Sequence, residues 1–255
     1  MCIRDSPLLP AEIWNEIISH GKSDLVALSC VTTQLNQLAN DYAKNPEGCF
    51  GEKEWKHFNG DPGIVFPIPL KMVQDFDPSK FILAFIPETL NGEPLTLTSF
   101  DEFIKILKNS DKSNYRAPLR YQGISNETVG AYKSHWVMLS KDILGGDDSV
   151  NGTRNMTFEI QEKLVKAEGF EIPNLIDVVV SLFMHNLKTG IFLYPDDSNG
   201  HKWTYICVQE QINDDYRIVV GGFSALGLFV DGDGYEDVAI GAACSLKSGH
   251  PSLDS

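Results

Sequence analysis

An α+β fold is predicted, with a small N-terminal helical segment followed by a larger α+β domain built on a mixed or antiparallel sheet. Three observations predict it. Helical spacing of apolar residues dominates the first forty positions. Short apolar runs rich in β-branched and aromatic residues recur from residue 81 onward. Helical and strand-like stretches then follow one another without the regular alternation of a parallel α/β protein.

Near the start, Ile13, Trp14, Ile17 and Ile18 fall on one broad helical arc. Gly21 stops that helix, and Ser23 or Asp24 can cap the next, which carries Leu25, Leu28, Val31, Leu35 and Leu38. A polar linker is expected over 44–51 and a short helix over 52–59. The proline-rich stretch 61–70 should be irregular. Residues 81–86 (FILAFI) read as a buried strand ended by Pro87, and Asn91-Gly92 marks a turn. A short strand is expected over 95–97, then a helix over 100–107 opened by a Ser99–Glu102 capping box. Residues 135–139 (HWVML) predict another strand, and the polar, glycine-rich 145–155 a mobile loop. Helices are expected over 158–167 and 176–187, the second apolar nearly all round and therefore buried. The stretches 203–208, 218–222 and 238–243 read as strands closing a sheet. No internal repeat is visible.

Length and charge narrow the possible partners. At 255 residues the chain exceeds one average domain, and 42% hydrophobic against 22% charged residues is ordinary globular composition. The net charge is −14, of which residues 7–45 carry −2 and residues 46–255 carry −12. So acidic a body, with no basic cluster to offset it, repels phosphate backbones and anionic lipid, so neither nucleic acid nor membrane is an expected partner. Five scattered cysteines (Cys2, Cys30, Cys49, Cys207, Cys244) form no C-x-x-C pair, which suits a reducing compartment and a cytoplasmic location. The sequons at Asn126, Asn151 and Asn155 are then chance matches in polar loops. The leader MCIRDS (residues 1–6) looks like a translated sequencing adapter, which would place the first native residue near Pro7. The expected organisation is therefore 7–45 and 46–255.

The stretch 9–39, LPAEIWNEIISHGKSDLVALSCVTTQLNQLA, resembles an F-box-like domain. Leu9, Pro10, Glu12, Ile13, Ile17, Asp24, Leu25, Leu28, Val31 and Leu35 carry the resemblance. Pro10 suits a first helical turn, where its missing N–H costs nothing. Leu8, Leu9, Trp14, Ile18 and Val26 are apolar beyond what a forty-residue segment can bury by itself. In an F-box that surplus docks on a Skp-type adaptor. Gly21 and Leu35 depart from the family pattern, which often has an apolar residue at the first position and tryptophan at the second. The resemblance implies an interaction protein without an active site or cofactor, recruiting a protein target to a cullin-type ubiquitin ligase. Residues 46–255 would hold that target. The blocks HWVML with Lys141-Asp142, Trp203-Thr204-Tyr205 and Val219-Val220-Gly221-Gly222-Phe223 look like an uncharacterised region found behind F-box-like segments in amoeba-dwelling bacteria. That likeness implies an effector acting in the host cytosol.

Two further patterns compete. Residues 223–242 resemble one FG-GAP repeat, with Asp231, Asp233 and Asp237 at three of its calcium-ligand positions. Carboxylate oxygens on a glycine-rich turn suit a hard cation. However, Phe229 stands where the first ligand should be, Glu236 occupies the glycine position of an EF-hand, and there is one copy where a propeller needs several. The plainer alternative is an acidic turn facing water. Cys207 could pair with His135, His185 or His201 as nucleophile and base, but a buried strand cysteine is the commoner outcome.

Overall fold

The computed structural model describes residues 48–108, 119–121, 130, 133–145, 153–154, 156–195, 204–212, 217–233 and 240–247. The backbone divides into two units, Met1–Pro46 and Glu47–Ser255, and all described residues belong to the second. The F-box-like positions from Leu9 to Leu35 therefore lie outside the described residues.

The second unit is α+β. In chain order its elements are β1 (Cys49–Phe50), α1 (Glu52–His57), α2 (Leu70–Asp75), β2 (Phe81–Ile86), β3 (Thr89–Leu90), β4 (Glu93–Pro94), α3 (Leu97–Lys108), β5 (Leu119–Tyr121) and β6 (His135–Ser140). Then come α4 (Phe158–Ala167), α5 (Leu175–Thr189), β7 (Tyr205–Gln211), β8 (Arg217–Ser224), β9 (Gly227–Asp233), β10 (Ile240–Gly241) and β11 (Ser245–Lys247).

Two sheets form among the described residues, together with a small hairpin. The first has the order β1-β2-β6-β11, with β1 parallel to β2 and the other pairs antiparallel. The second has the order β10-β7-β8-β9-β5, an antiparallel centre flanked by parallel edge strands. The expected mixed or antiparallel sheet is thus realised twice. The hairpin β3–β4 turns at Asn91 (φ 56°) and Gly92 (φ 85°). Both angles are positive, as a tight two-residue hairpin turn requires and as Asn-Gly readily supplies.

Helix α5 packs on β1, β2 and β6 of the first sheet and on β7 and β8 of the second. That position explains its composition: every residue from Leu175 to Asn186 is buried. Asn174 opens the helix and Gly190, at φ 74°, closes it. On the side of the second sheet, Phe183 meets Phe100 of α3 at 5.7 Å between ring centroids and Phe223 of β8 at 5.1 Å.

Several local expectations change. Residues 95–97 form no strand. Leu97 already opens α3, and the capping pair sits three residues earlier than Ser99–Glu102. The Ser99 N–H donates to Thr96 Oγ1 (3.1 Å), and the Thr96 N–H donates to Ser99 Oγ (2.9 Å). The expected linker over 44–51 contributes β1, whose Cys49 and Phe50 pair with Leu83 and Ala84. The predicted loop over 145–155 is pinned near its end. Thr153 is buried, its hydroxyl accepts the Ala242 N–H at 2.8 Å, and its carbonyl accepts from the Gln161 amide at 3.1 Å. Residues 146–152 and 155 lie outside the described residues. Gly221, a block residue in the sequence, is needed for close approach: a Cβ there would run into the Thr204 carbonyl oxygen and Tyr205 Cα on the β7 side.

Candidate functional site

Asp177, Ser181 and His185 recur every four residues on α5, so they share one face. That face meets the first sheet: Asp177 reaches β6 and β11, and the His185 ring packs edge-on against Phe50 of β1 at 5.9 Å.

Asp177 is fully buried, and an isolated carboxylate could not remain charged there. Two cations hold it. His135 Nε2 lies 3.0 Å from Oδ1, and Lys247 Nζ lies 2.8 Å from Oδ2. Burial pushes its pKa up, but the His135 hydrogen bond and charge, with Lys247 behind them, outweigh burial and hold it below the ordinary carboxylate value. The other ring nitrogen of His135, Nδ1, lies 2.8 Å from the Lys133 carbonyl oxygen. A carboxylate and a carbonyl are both acceptors, so both ring nitrogens must donate, and His135 is an imidazolium. Burial opposes this, but the Asp177 bond and charge prevail and raise its pKa.

Glu210 of β7 completes the junction. Its carboxylate accepts the Leu175 N–H at 2.8 Å, satisfying a free donor of the first turn of α5. Burial raises its pKa, and the charge of Asp177 adds to the effect. Two acids and two bases from β6, α5, β7 and β11 therefore meet where both sheets adjoin one helix end.

His185 is the opposite case. It is buried, and its Nδ1 has no hydrogen-bond partner, nor does the Ser181 hydroxyl one turn before it. Burial, helped by the charge of Lys141, pushes its pKa down to about 4, so it is neutral in the fold. The unfolded state takes up a proton below about pH 6.5 that the folded state refuses. Stability carried by this group is therefore lost as pH falls from about 6.5 to 4, by about 3 kcal/mol. Denaturation midpoints of the unmutated protein and His185→Met, followed across that range, should diverge in slope. Parallel profiles would refute the assignment.

The chain matches no protein-family model, no curated protein and no solved structure.

The other sequence candidates fall as follows. Asp231 and Asp233 lie on β9. Asp231 Oδ1 accepts the N–H of the next residue, Gly232, at 2.7 Å. Asp237 lies outside the described residues, among which no group of three or more His, Cys, Asp or Glu is arranged to hold a metal ion. Cys207 is buried on β7 among Val219, Phe158, Val165 and Ile172. Both ring nitrogens of His135 are engaged, with Asp177 and with the Lys133 carbonyl, and His201 lies outside the described residues. Burial pushes the Cys49 thiol up to about 12 and the Cys244 thiol to about 11, so both are protonated at neutral pH. No helix among the described residues is long and apolar enough to cross a membrane.

In the sequence, Asp177 is a charge inside an otherwise apolar helical run. The signal was there, because a charge inside an all-apolar helix demands a partner. Nothing local marked Lys247 as that partner.

Proposed function

We propose that this chain is a protein-interaction adaptor: residues 7–45 bind a Skp-type adaptor of a cullin ubiquitin ligase, and residues 46–255 hold a protein target. The observation that carries the reading is the ordered match from Leu9 to Leu35, joined to an apolar surplus (Leu8, Leu9, Trp14, Ile18, Val26) that forty residues cannot bury. The second unit supports it by having a core of its own, centred on α5, as an independently folded target-holding domain requires. With −12 of the charge on residues 46–255, the target expected is one with a basic face. The likeness to regions from amoeba-dwelling bacteria would make the chain an effector acting in a host cytosol.

The test is capture of purified Skp-type adaptor by the full chain, against the double variant Ile13→Asp with Leu25→Asp. The unmutated chain should retain the adaptor and the double variant should lose it, with the circular dichroism of the α+β body unchanged. Failure of the unmutated chain to bind removes the ubiquitin-ligase reading.

A further inference from the structure

We infer that the proton on His135 is a lock, joining the start of β6 to the first turn of α5, and that raising the pH releases it. The geometry carries the inference. Nε2 faces the Asp177 carboxylate at 3.0 Å and Nδ1 faces the Lys133 carbonyl at 2.8 Å, so neither contact tolerates a lone pair on the ring. Rotating the ring by half a turn offers no escape, because it sets a carbon where each donor stood. Loss of the proton must therefore turn one attraction into a repulsion between lone pairs.

The groups that face His135 are Asp177 from α5 and Lys247 from β11, with the Lys133 carbonyl on its own side. Glu210 from β7 feels Asp177 and Lys247 in turn. With the proton in place the four ionised side chains balance. Without it the cluster carries one uncompensated negative charge beside a fully buried carboxylate. The Lys247 contact to Asp177 is not broken by this change, since Lys247 repels the imidazolium. The β6–α5 contact therefore opens while β11 stays. Partial exposure of the His135 side chain, 15%, gives the proton a route to solvent.

The sign is fixed by the raised pKa of the folded state. The lock is fully closed below the unfolded value, about 6.5, and opens as pH rises through the folded value. A change of this kind would couple the junction of both sheets to the pH of the compartment, independently of the adaptor binding proposed above.

Two measurements on the full chain test it. In protein labelled with 15N at histidine, both ring nitrogens of His135, assigned through contacts to the β6 amides, should carry protons at about pH 6.5, and the titration midpoint should lie above that value. Lys247→Met should move the midpoint higher still, which a purely structural role would not do. A neutral ring at about pH 6.5, or a midpoint unmoved by Lys247→Met, overturns the inference. Hydrogen exchange supplies the second reading. Protection of the β6 amides near His135 should fall as pH rises above about 6.5 by more than the intrinsic rate increase, and His135→Gln should abolish the excess. An identical pH dependence in both proteins would also overturn it.

Discussion

Replacing Asp177 by asparagine is expected to lower the unfolding free energy by about 3–5 kcal/mol, the range for breaking a buried ion pair from one side. Asparagine keeps the volume but not the charge. It can still accept from His135 or turn toward Lys247, yet it presents an amide N–H₂ to one of two cations. Both cations are then left at a site that shuts out water on the Asp177 side. The contrast that makes the experiment decisive is the triple variant His135→Leu, Asp177→Leu and Lys247→Met. Removing the Asp177 carboxylate together with both cations that hold it eliminates the desolvation cost as well as the attraction, leaving Glu210 on its hydrogen bond to the Leu175 N–H, and such replacements are often neutral or stabilising. The triple variant should recover most of the loss. Denaturant midpoints at unchanged slope would read both effects. A triple variant as unstable as the single one would show that the cluster is more than mutual charge compensation. Acid titration supplies the matching sign. The Asp177 pKa is held down, so its contribution is present above the unfolded value and is lost as pH falls through the folded one.

The elements that were legible in advance are those whose residues specify them locally. FILAFI is six apolar residues ended by proline, and it forms β2 with those bounds. The 158–167 pattern forms α4 over the same residues, and the buried helix expected over 176–187 exceeds its prediction by one residue at the start and two at the end. The Asn-Gly pair forms its hairpin because the turn chemistry acts on two adjacent residues. One miss is local: β9 is seven residues long and pairs with the adjacent β8, whereas its stretch reads in the sequence as a glycine-rich acidic turn. The other misses are short or set by distant neighbours. β1, β5 and β11 are two or three residues long, and their pairing with Leu83, Leu228 and Met138 comes from segments far away in the chain. At α3 the helix start shifts. The sequence reads Ser99 with Glu102 as the cap, whereas the structure caps the helix with Thr96 and Ser99, one turn earlier, which buries Leu97 in the core. The charged junction illustrates the same limit. Asp177 was visible as a charge in an apolar helix, but its partners come from positions 135, 210 and 247, whose convergence only the fold creates.

Phe183→Ala should cost about as much as the loss of Asp177, about 3–5 kcal/mol, for an unrelated reason. Phe183 is completely buried on the face of α5 away from the charge cluster. Its ring touches Phe100 of α3 edge-on and Phe223 of β8 at a tilt, and Phe223 passes the contact to Phe192 at 5.0 Å. Alanine therefore removes the transfer free energy of a large ring and also leaves a space bounded by other rings, which are stiff and collapse poorly. Phe183→Leu retains most of the volume and should cost under about 1.5 kcal/mol. Aromatic geometry adds its own part. A double-mutant cycle between Phe183→Leu and Phe100→Leu should return a coupling of about 0.5–1.5 kcal/mol, whereas cycles with residues far from Phe183 should return close to zero. Because α5 is the element that both sheets pack against, the destabilised variant should still unfold in one cooperative transition, with circular dichroism and tryptophan fluorescence falling together. Two separated transitions, or a loss below about 1 kcal/mol, would mean that the sheets hold together without the helix between them.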